Sequence, residues 1–246
     1  MNKHLSIAMF LLGACLALGF AYGMGKVSNA VAEFKRSNSI RVKGYAERRL
    51  TSDTATWECT VTVRDRELQA GYARLKKDVD ACRQRLTGLG IAEKEVAAGP
   101  VSTEIRYKRD AKGEYVTNEV EYYVLTQGMG VLSRDVNKVD RASKEITDLM
   151  AQGVEIRSEK PAFTSSQIEK LKLELLAEAT QNGRERATVL AEKSRGKVGE
   201  LIAANQGVFQ IVPVDSTEVS DSGAYDTTTI EKTIKAVVTL EFATGR

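Results

Sequence analysis

The side chains that could do chemistry in this chain are few, because its single histidine, His4, stands at the amino terminus. His4 precedes a long apolar run, so no imidazole is available further along the chain as a general base or zinc ligand. The sequence therefore argues against Ser-His-Asp and Cys-His hydrolases. We predict no catalytic residue, no cofactor and no metal ligand, and we expect that the protein is not an enzyme.

Two cysteines, Cys59 and Cys82, are placed so that they could meet. Cys59 lies on a predicted strand and Cys82 on the predicted helix that follows it, and the two elements should run antiparallel. From their connection, Cys59 lies roughly 17 Å back along the strand at about 3.3 Å per residue. Cys82 lies roughly 21 Å along the helix at 1.5 Å per residue. In an oxidising compartment the pair could form a disulfide, and two reduced thiols packed in the core are the alternative.

The acidic residues suggest structural roles more than catalysis. Asp53 stands just before a predicted strand without a thiol or base beside it, which indicates a turn or cap residue. Asp215, Asp221 and Asp226 share one polar segment, but it lacks the glycine and terminal glutamate of an EF-hand and is interpreted as a solvated loop. A carboxylate enzyme that uses Asp53 with a glutamate from residues 117–124 is kept as an alternative function.

The charge balance bears on the kind of partner. The 246 residues contain 36 Lys and Arg against 33 Asp and Glu, a net charge of +3. This balance is too even for a nucleic-acid-binding surface, which normally carries a clustered basic stripe, so we expect no nucleic-acid partner. Hydrophobic residues make up 42% of the chain and it contains only 3 prolines, so most of it should fold.

The amino-terminal segment predicts the compartment. Residues 5–22 are apolar and uncharged, and about 20 such residues span a bilayer as a helix. We predict a transmembrane signal anchor at residues 1–25, a stem at 26–39 and one folded domain at 40–246. Basic residues flank both ends of the run, and the short amino-terminal flank is easily retained inside. The expected location is the inner (cytoplasmic) membrane, single-pass, with the domain facing the periplasm or outside.

Two other interpretations of this segment stay open, a cleaved signal peptide and a lipoprotein signal. A signal peptidase could cleave after residues 21–23 or 30–32, although the second site lies far from the apolar core. The residues LGAC, which end at Cys15, are similar to a lipobox, although the chain stays apolar after the cysteine.

The rest of the chain alternates between strand and helix patterns. Residues 54–64 place Ala, Trp, Cys and Val on one face and Thr and Glu on the other, as a half-buried strand does. Spacings of three and four predict a helix at residues 68–89, with Leu68 and Tyr72 on its apolar face, and a long helix at 167–194, with Leu190 in its seam. A further helix should begin at Ser133 or Asp135 and end at Gly153. The remaining predicted strands cover residues 40–50 (broken at Gly44), 100–107, 120–131, 154–163, 198–204, 208–214 and 234–242. The fold class is therefore α+β, with antiparallel or mixed sheets packed with three helices, preceded by one transmembrane helix.

The order of these elements resembles the SIMPL-domain family. The similarity is carried by IRVKGYAERRLTSDTATW at residues 40–57, VLSRDVNKVDRASKEITDLMAQGVEI at 131–156 and EATQNGRERATVLAEKSRGKVGEL at 178–201. The residues ANQGVFQI at 204–211 and DTTTIEKTIKAVVTLEF at 226–242 look like a membrane-anchored branch of it. The resemblance implies an envelope location, homo-oligomers and a link to oxidative or envelope stress. The activity of this family is poorly defined, so it implies no catalytic residues for this chain.

The expected function is that of a non-enzymatic, membrane-anchored envelope protein that assembles with itself in envelope maintenance or stress protection. The long helix at 167–194 should lie near the interface between copies, because its second half is rich in small and charged residues. Besides the carboxylate enzyme, a second alternative is a module that binds a peptide on an exposed sheet edge.

The membrane anchor is tested on protein isolated from cell envelopes. If residues 1–25 are an uncleaved anchor, the intact mass includes them and the protein stays in the membrane fraction after a high-salt wash. A mature chain that begins at Met24, Val31 or Glu33 would contradict the anchor, and a lipid on Cys15 would support the lipobox instead.

Overall fold

In a computed structural model, the structure describes residues 19–20, 24, 39–110, 112–113, 116–217 and 220–245. The predicted membrane helix at 1–25 and the stem at 26–39 lie outside the described residues, apart from Gly19, Phe20, Met24 and Ser39. Among the helices of the described part, none combines the length and the apolar character needed to cross a bilayer.

The predicted α+β class is confirmed. The described residues form two five-stranded sheets and three α-helices. They fall into two compact units, the first made of residues up to Tyr45, Glu178–Gly207 and Val237 onward, and the second of Ala46–Ala177 and Val208–Ala236. The expectation of a single domain over residues 40–246 stays a prediction.

The second unit is built on a sheet whose central strand is β2 (Thr54–Asp65). Strand β2 pairs with β4 (Val116–Ser133) on one side and with β5 (Glu155–Ser158) and β6 (Ala162–Thr164) on the other. Strand β3 (Val96–Arg109) pairs with β4, and every pairing in this sheet is antiparallel. The predicted strand at 154–163 is thus two strands, both held by β2.

The predicted alternation of β2 is confirmed. Its inward side chains are all buried and belong to one core cluster: Ala55, Trp57, Cys59, Val61 and Val63. Helices α1 (Leu68–Gly88) and α2 (Val136–Glu145) pack on this face. The one polar atom of the buried indole is satisfied, because Trp57 Nε1 donates to Ser158 Oγ at 3.1 Å.

The helix ends follow their capping residues. The carboxylate of Asp135 accepts a hydrogen bond from the Lys138 backbone N–H, which confirms it as the cap of α2. The predicted single helix tightens at Ile146 into a 3₁₀ segment, Ile146–Gln152, before Gly153 ends it with a φ of 83°. The predicted positions of Leu68 and Tyr72 on the apolar face of α1 are wrong, because both side chains are exposed. Gly71 lies against the sheet instead, close to Leu125.

The other sheet is centred on β10 (Glu231–Gly245). Its strand order is β1 (Ser39–Thr51), β10, β8 (Gln210–Pro213) and β9 (Ala224–Tyr225), and β7 (Lys197–Gln206) also pairs with β10. Strand β9 runs parallel to β8 inside the segment predicted to be a loop. Helix α3 (Ile168–Lys193) completes the elements.

The predicted break of β1 at Gly44 is wrong, because the strand continues through it. In the first unit, the absence of a side chain at Gly44 allows β1 to lie close to α3. A Cβ atom on Gly44 would lie 2.0 Å from the carbonyl oxygen of Ala179, and one on Gly183 would lie 2.6 Å from a methyl of Leu240. Asn182 adds a direct bond, since its side-chain oxygen accepts from the Tyr45 N–H at 3.1 Å.

We predict that Gly44→Ala destabilises the protein by about 3 kcal/mol or more, because a backbone carbonyl cannot move out of the way of the new methyl group. Gly128→Ala is the matched control, since it also lies in a strand and its Cβ would meet nothing within 4 Å. Urea unfolding measures both changes. Equal midpoints for the two variants would contradict the close approach.

Candidate functional site

The most enclosed charged group of the second unit is Lys232, on β10. Its side chain is 1% exposed, and its Nζ atom lies 3.4 Å from Oδ2 of Asp226, which is 10% exposed. Nζ also donates to the carbonyl oxygen of Thr229. Lysine is almost never buried unless it is paired, so this pair is the natural starting point for a search for a site. The predicted solvated loop is wrong for Asp226.

Asp226 gathers hydrogen bonds from the threonines that follow it. Its Oδ1 accepts from the backbone N–H of Thr228 at 2.8 Å and from the Thr228 hydroxyl at 2.7 Å, and its Oδ2 accepts from the Thr229 hydroxyl. Burial alone raises the pKa of Asp226, but these hydrogen bonds and the Lys232 charge outweigh it and lower the pKa to about 2. Burial lowers the pKa of Lys232, and Asp226 opposes that shift.

The same segment is tied to neighbouring strands through its backbone. The Thr227 carbonyl accepts from Phe163 N–H at 2.7 Å, the Ile230 carbonyl accepts from Ser52 N–H at 2.9 Å, and Asp226 N–H donates to the Ile211 carbonyl at 2.8 Å. These bonds join residues 226–230 to three separate parts of the second unit. The Asp226–Lys232 pair therefore holds a loop in place, and its charged atoms are used by the protein itself.

Asp53 is confirmed as a capping residue. Its carboxylate accepts from the Ser166 backbone N–H at 3.0 Å and from the Ser166 hydroxyl at 2.6 Å, just before α3 begins. The Thr54 hydroxyl donates to it at 2.9 Å. The Ser166 hydroxyl bond is the largest cause of the lowered pKa of Asp53. Hydrogen bonds that favour the ionised form of a carboxylate make it suited to fixing the start of a helix and poorly suited to accepting a proton.

The carboxylate pair of the enzyme alternative is not assembled. Ala55 is opposite Ser133 on β4, whereas Asp65 is opposite Tyr123. The glutamates of residues 117–124, Glu119 and Glu121, lie beyond Tyr123, so they are roughly 33 Å or more from the Asp53 end of β2 at about 3.3 Å per residue. Glu119 instead pairs with Lys108 at 3.0 Å. Paired carboxylates that act together on a substrate lie within about 10 Å of each other.

Cys59 and Cys82 are free thiols, and both are buried in the core of the second unit. Burial raises the pKa of each to about 12, with a smaller contribution from the other thiol at Cys59 and from Asp78 at Cys82. A thiol of this kind is not a nucleophile at neutral pH. In this structure the two cysteines are therefore reduced thiols packed in the core, and a disulfide between them under oxidising conditions stays a prediction.

Two concavities of the second unit are open grooves. One of about 560 Å³ includes Glu95 and Leu132, and another of about 570 Å³ includes Lys144 and Ser158. Glu95 is already engaged, because it accepts from Ala92 N–H and from the Ser133 hydroxyl, each at 2.8 Å. Within the described ranges, no cluster of three or more His, Cys, Asp or Glu side chains is arranged to hold a metal ion.

The fold and these contacts do not by themselves identify the protein family of the chain, and a comparison with known families does. A model of the SIMPL family, described as "Protein of unknown function (DUF541)", matches residues 40–242. The chain belongs to the SIMPL family. The resemblance found in the sequence is therefore confirmed at the level of the family, and its membrane-anchored branch stays a prediction. No curated protein matches the chain.

Similar solved structures share only parts of the SIMPL chain. The designed protein Foldit4 is 14% identical, with 43% of this chain and 96% of that chain covered and a TM-score of 0.24. A hydantoinase/carbamoylase family amidase from Burkholderia ambifaria is 14% identical, with 45% and 28% covered and a TM-score of 0.27. An uncharacterized conserved protein from Listeria innocua is 9% identical, with 78% and 91% covered and a TM-score of 0.22. At these TM-scores the likenesses carry no argument about function.

The buried pair predicts a specific response to substitution. Asp226→Ala leaves the Lys232 charge buried without its partner and should destabilise the protein by about 3 kcal/mol. The double variant Asp226→Val with Lys232→Met should recover most of that loss, and Asp221→Ala, at an exposed position of the same segment, should be neutral. Thermal unfolding of the four proteins measures the changes.

The acid dependence of stability follows from the same pair. The pKa of Asp226 is about 2 in the folded protein, against 3.8 for an ordinary aspartate. A lowered folded pKa gives stability that is present above pH 3.8 and lost as the pH falls toward 2, on the order of 1–2 kcal/mol after solvent screening. Asp226→Asn should flatten this part of the stability profile, and an unchanged acid limb would contradict the assignment.

Proposed function

We propose that this SIMPL protein is a membrane-anchored, non-enzymatic protein of the cell envelope that works by assembling with copies of itself, in envelope maintenance or protection against oxidative stress. The compartment and the stress role come from the apolar amino-terminal run and the family resemblance. The observations on the described residues support the non-enzymatic and assembling parts.

The roles of the carboxylates support a non-enzymatic protein. Asp53, the residue that the enzyme alternative would use, fixes the start of a helix through Ser166. The most enclosed carboxylate, Asp226, neutralises a buried lysine and orders the segment around it. Groups that a catalytic site would leave free for substrate are here satisfied by the protein.

A set of exposed apolar side chains on the first unit carries the assembling part of the proposal. On the second half of α3, Val189 and Leu190 are about half exposed, and on β7 so are Leu201 and Ile202. The predicted place of Leu190 in the buried seam is wrong, because Ala187 and Ala191 provide the covered face instead. Large aliphatic residues left in water on one unit favour burial against another protein surface.

One observation favours the binding-module alternative. Strand β3 ends its sheet, and residues 102–109 are exposed along it. An exposed edge of this length can pair with an extended segment from another chain.

Leu190→Lys tests the assembly. It should shift the full chain, purified in mild detergent, from an oligomer to smaller species, because a lysine on the covered surface would have to lose its water. Glu192→Ala is the matched control, two residues away and exposed, and should leave the oligomer unchanged. Sedimentation velocity at tens of micromolar gives the masses. A wild-type protein that is monomeric at these concentrations would overturn the proposal.

A further inference from the structure

The free edge of β3 is regular over its second half. Where β3 pairs with β4, the first irregularity lies between Ala98 and Val101 and includes Pro100, which has no N–H to offer a neighbour. From Val101 to Arg106 the register is unbroken, and the later shifts insert their extra residues on β4. Strand β3 therefore keeps an even row of backbone groups from Ser102 to Lys108.

This part of the hairpin reaches past the rest of its sheet. Pairing between β2 and β4 stops at Asp65 and Tyr123, so the residues of β4 before Tyr123 pair with β3 alone. Apolar side chains lie exposed where this arm begins and along it: Ile105, which pairs with Tyr123, is 42% exposed and Tyr107 is 41% exposed. Within the described ranges no strand pairs with the outer edge of β3.

Glu104 and Arg106 carry opposite charges on the two sides of Ile105. Glu104 precedes it and Arg106 follows it, and within one chain the two side chains contact each other at 3.0 Å while both stay more than half exposed. When a strand pairs antiparallel with its own copy about a two-fold axis at Ile105, Glu104 of each chain lies opposite Arg106 of the other. Opposite charges directly across a strand pair stabilise it.

We infer that the β3 edge is a self-association surface, whose partner is β3 of a second copy, paired antiparallel and centred on Ile105. The two sheets then form one continuous sheet, Ile105 packs against Ile105 of the second copy, and Thr103 lies opposite Tyr107. The inference rests on the proposed assembly and gives it a contact separate from α3 and β7.

The charge pattern selects both the partner and the register. Centring the pair on Glu104 places two glutamates opposite each other, and centring it on Arg106 places two arginines opposite each other; like charges across a strand pair are destabilising. An unrelated peptide would meet this edge without such matching. Charged side chains on a strand edge normally hinder pairing with another strand. Here they disfavour the two neighbouring registers, centred on Glu104 and Arg106, and favour the register centred on Ile105.

Cysteine trapping tests the register. In the full chain with Cys15→Ser, Ile105→Cys should give a disulfide-linked dimer under mild oxidation with copper phenanthroline, because residues directly opposite bring their Cβ atoms to about 5 Å. Ser102→Cys is the matched control on the same exposed edge, since its copies would lie roughly 20 Å apart at about 3.3 Å per residue. Non-reducing gels measure the dimer. Equal trapping at both positions, or none at Ile105, would overturn the inference.

A charge exchange between chains tests the partner. With Ile105→Cys present, Glu104→Arg places an arginine on each side of position 105 and Arg106→Glu places a glutamate on each side, so each variant alone brings like charges opposite each other and should trap about tenfold less dimer. Mixing the two should restore trapping as mixed dimers, because each basic edge then faces an acidic one. No recovery on mixing would show that the edges do not face each other and would overturn the inference.

The two surfaces can be separated. If Leu190→Lys abolishes the larger assembly while Ile105→Cys still traps a dimer, the β3 contact stands and the α3–β7 contact is shown to be independent. If Ile105→Cys fails to trap in an oligomer that Leu190→Lys disrupts, the β3 inference fails and the proposed assembly stands.

Discussion

The alternation of side chains along β2 is the constraint on which the second unit depends. Because this strand is central, its inward residues must be covered, and its backbone groups pair with β4 on one side and with β6 and β5 on the other over residues 54–56 and 59–62. A shift of one residue would expose Trp57 and Cys59 and bury Glu58 and Thr60, so the register is strongly specified. The helices, the two short strands and the hairpin with β3 are all positioned from it.

Polar groups in this protein mainly hold loops to that framework. Asp53 orders the chain ahead of α3, and Asp226 with Lys232 fixes a segment whose backbone bonds reach Ser52, Phe163 and Ile211. Such contacts require ionised groups with every lone pair occupied, since an unpaired buried charge is costly. Catalysis requires a group that is free to exchange a proton or bind a substrate, which is the opposite arrangement.

The surfaces left exposed contrast with these satisfied interiors. In the first unit, apolar side chains on α3 and β7 stay in water, and in the second unit no described strand pairs with the outer edge of β3, where Glu104 and Arg106 flank Ile105. A protein that binds a small molecule concentrates its unused groups in a concave pocket. In the described residues, the exposed apolar side chains of α3 and β7 and the outer edge of β3 are the surfaces that the proposed contacts between copies would use.

The sequence by itself determined the fold class, the strand predicted at 54–64, a helix start at Ser133 or Asp135, the long helix predicted at 167–194 and the family, because periodicity and caps are local and the motifs are contiguous. Tertiary structure alone decided three other matters. The sequence pattern predicted a strand break at Gly44. Only the tertiary structure shows that Ala179 and Gly183 approach this glycine closely. The sequence could not indicate this contact, because a glycine at a close approach and a glycine at a strand break look the same in the sequence. Leu190 fitted the helical period, but small residues beside it took the buried face. Asp226 looked like part of a solvated loop, and its burial beside Lys232 depends on which strands enclose the two residues, a long-range fact that no local spacing encodes.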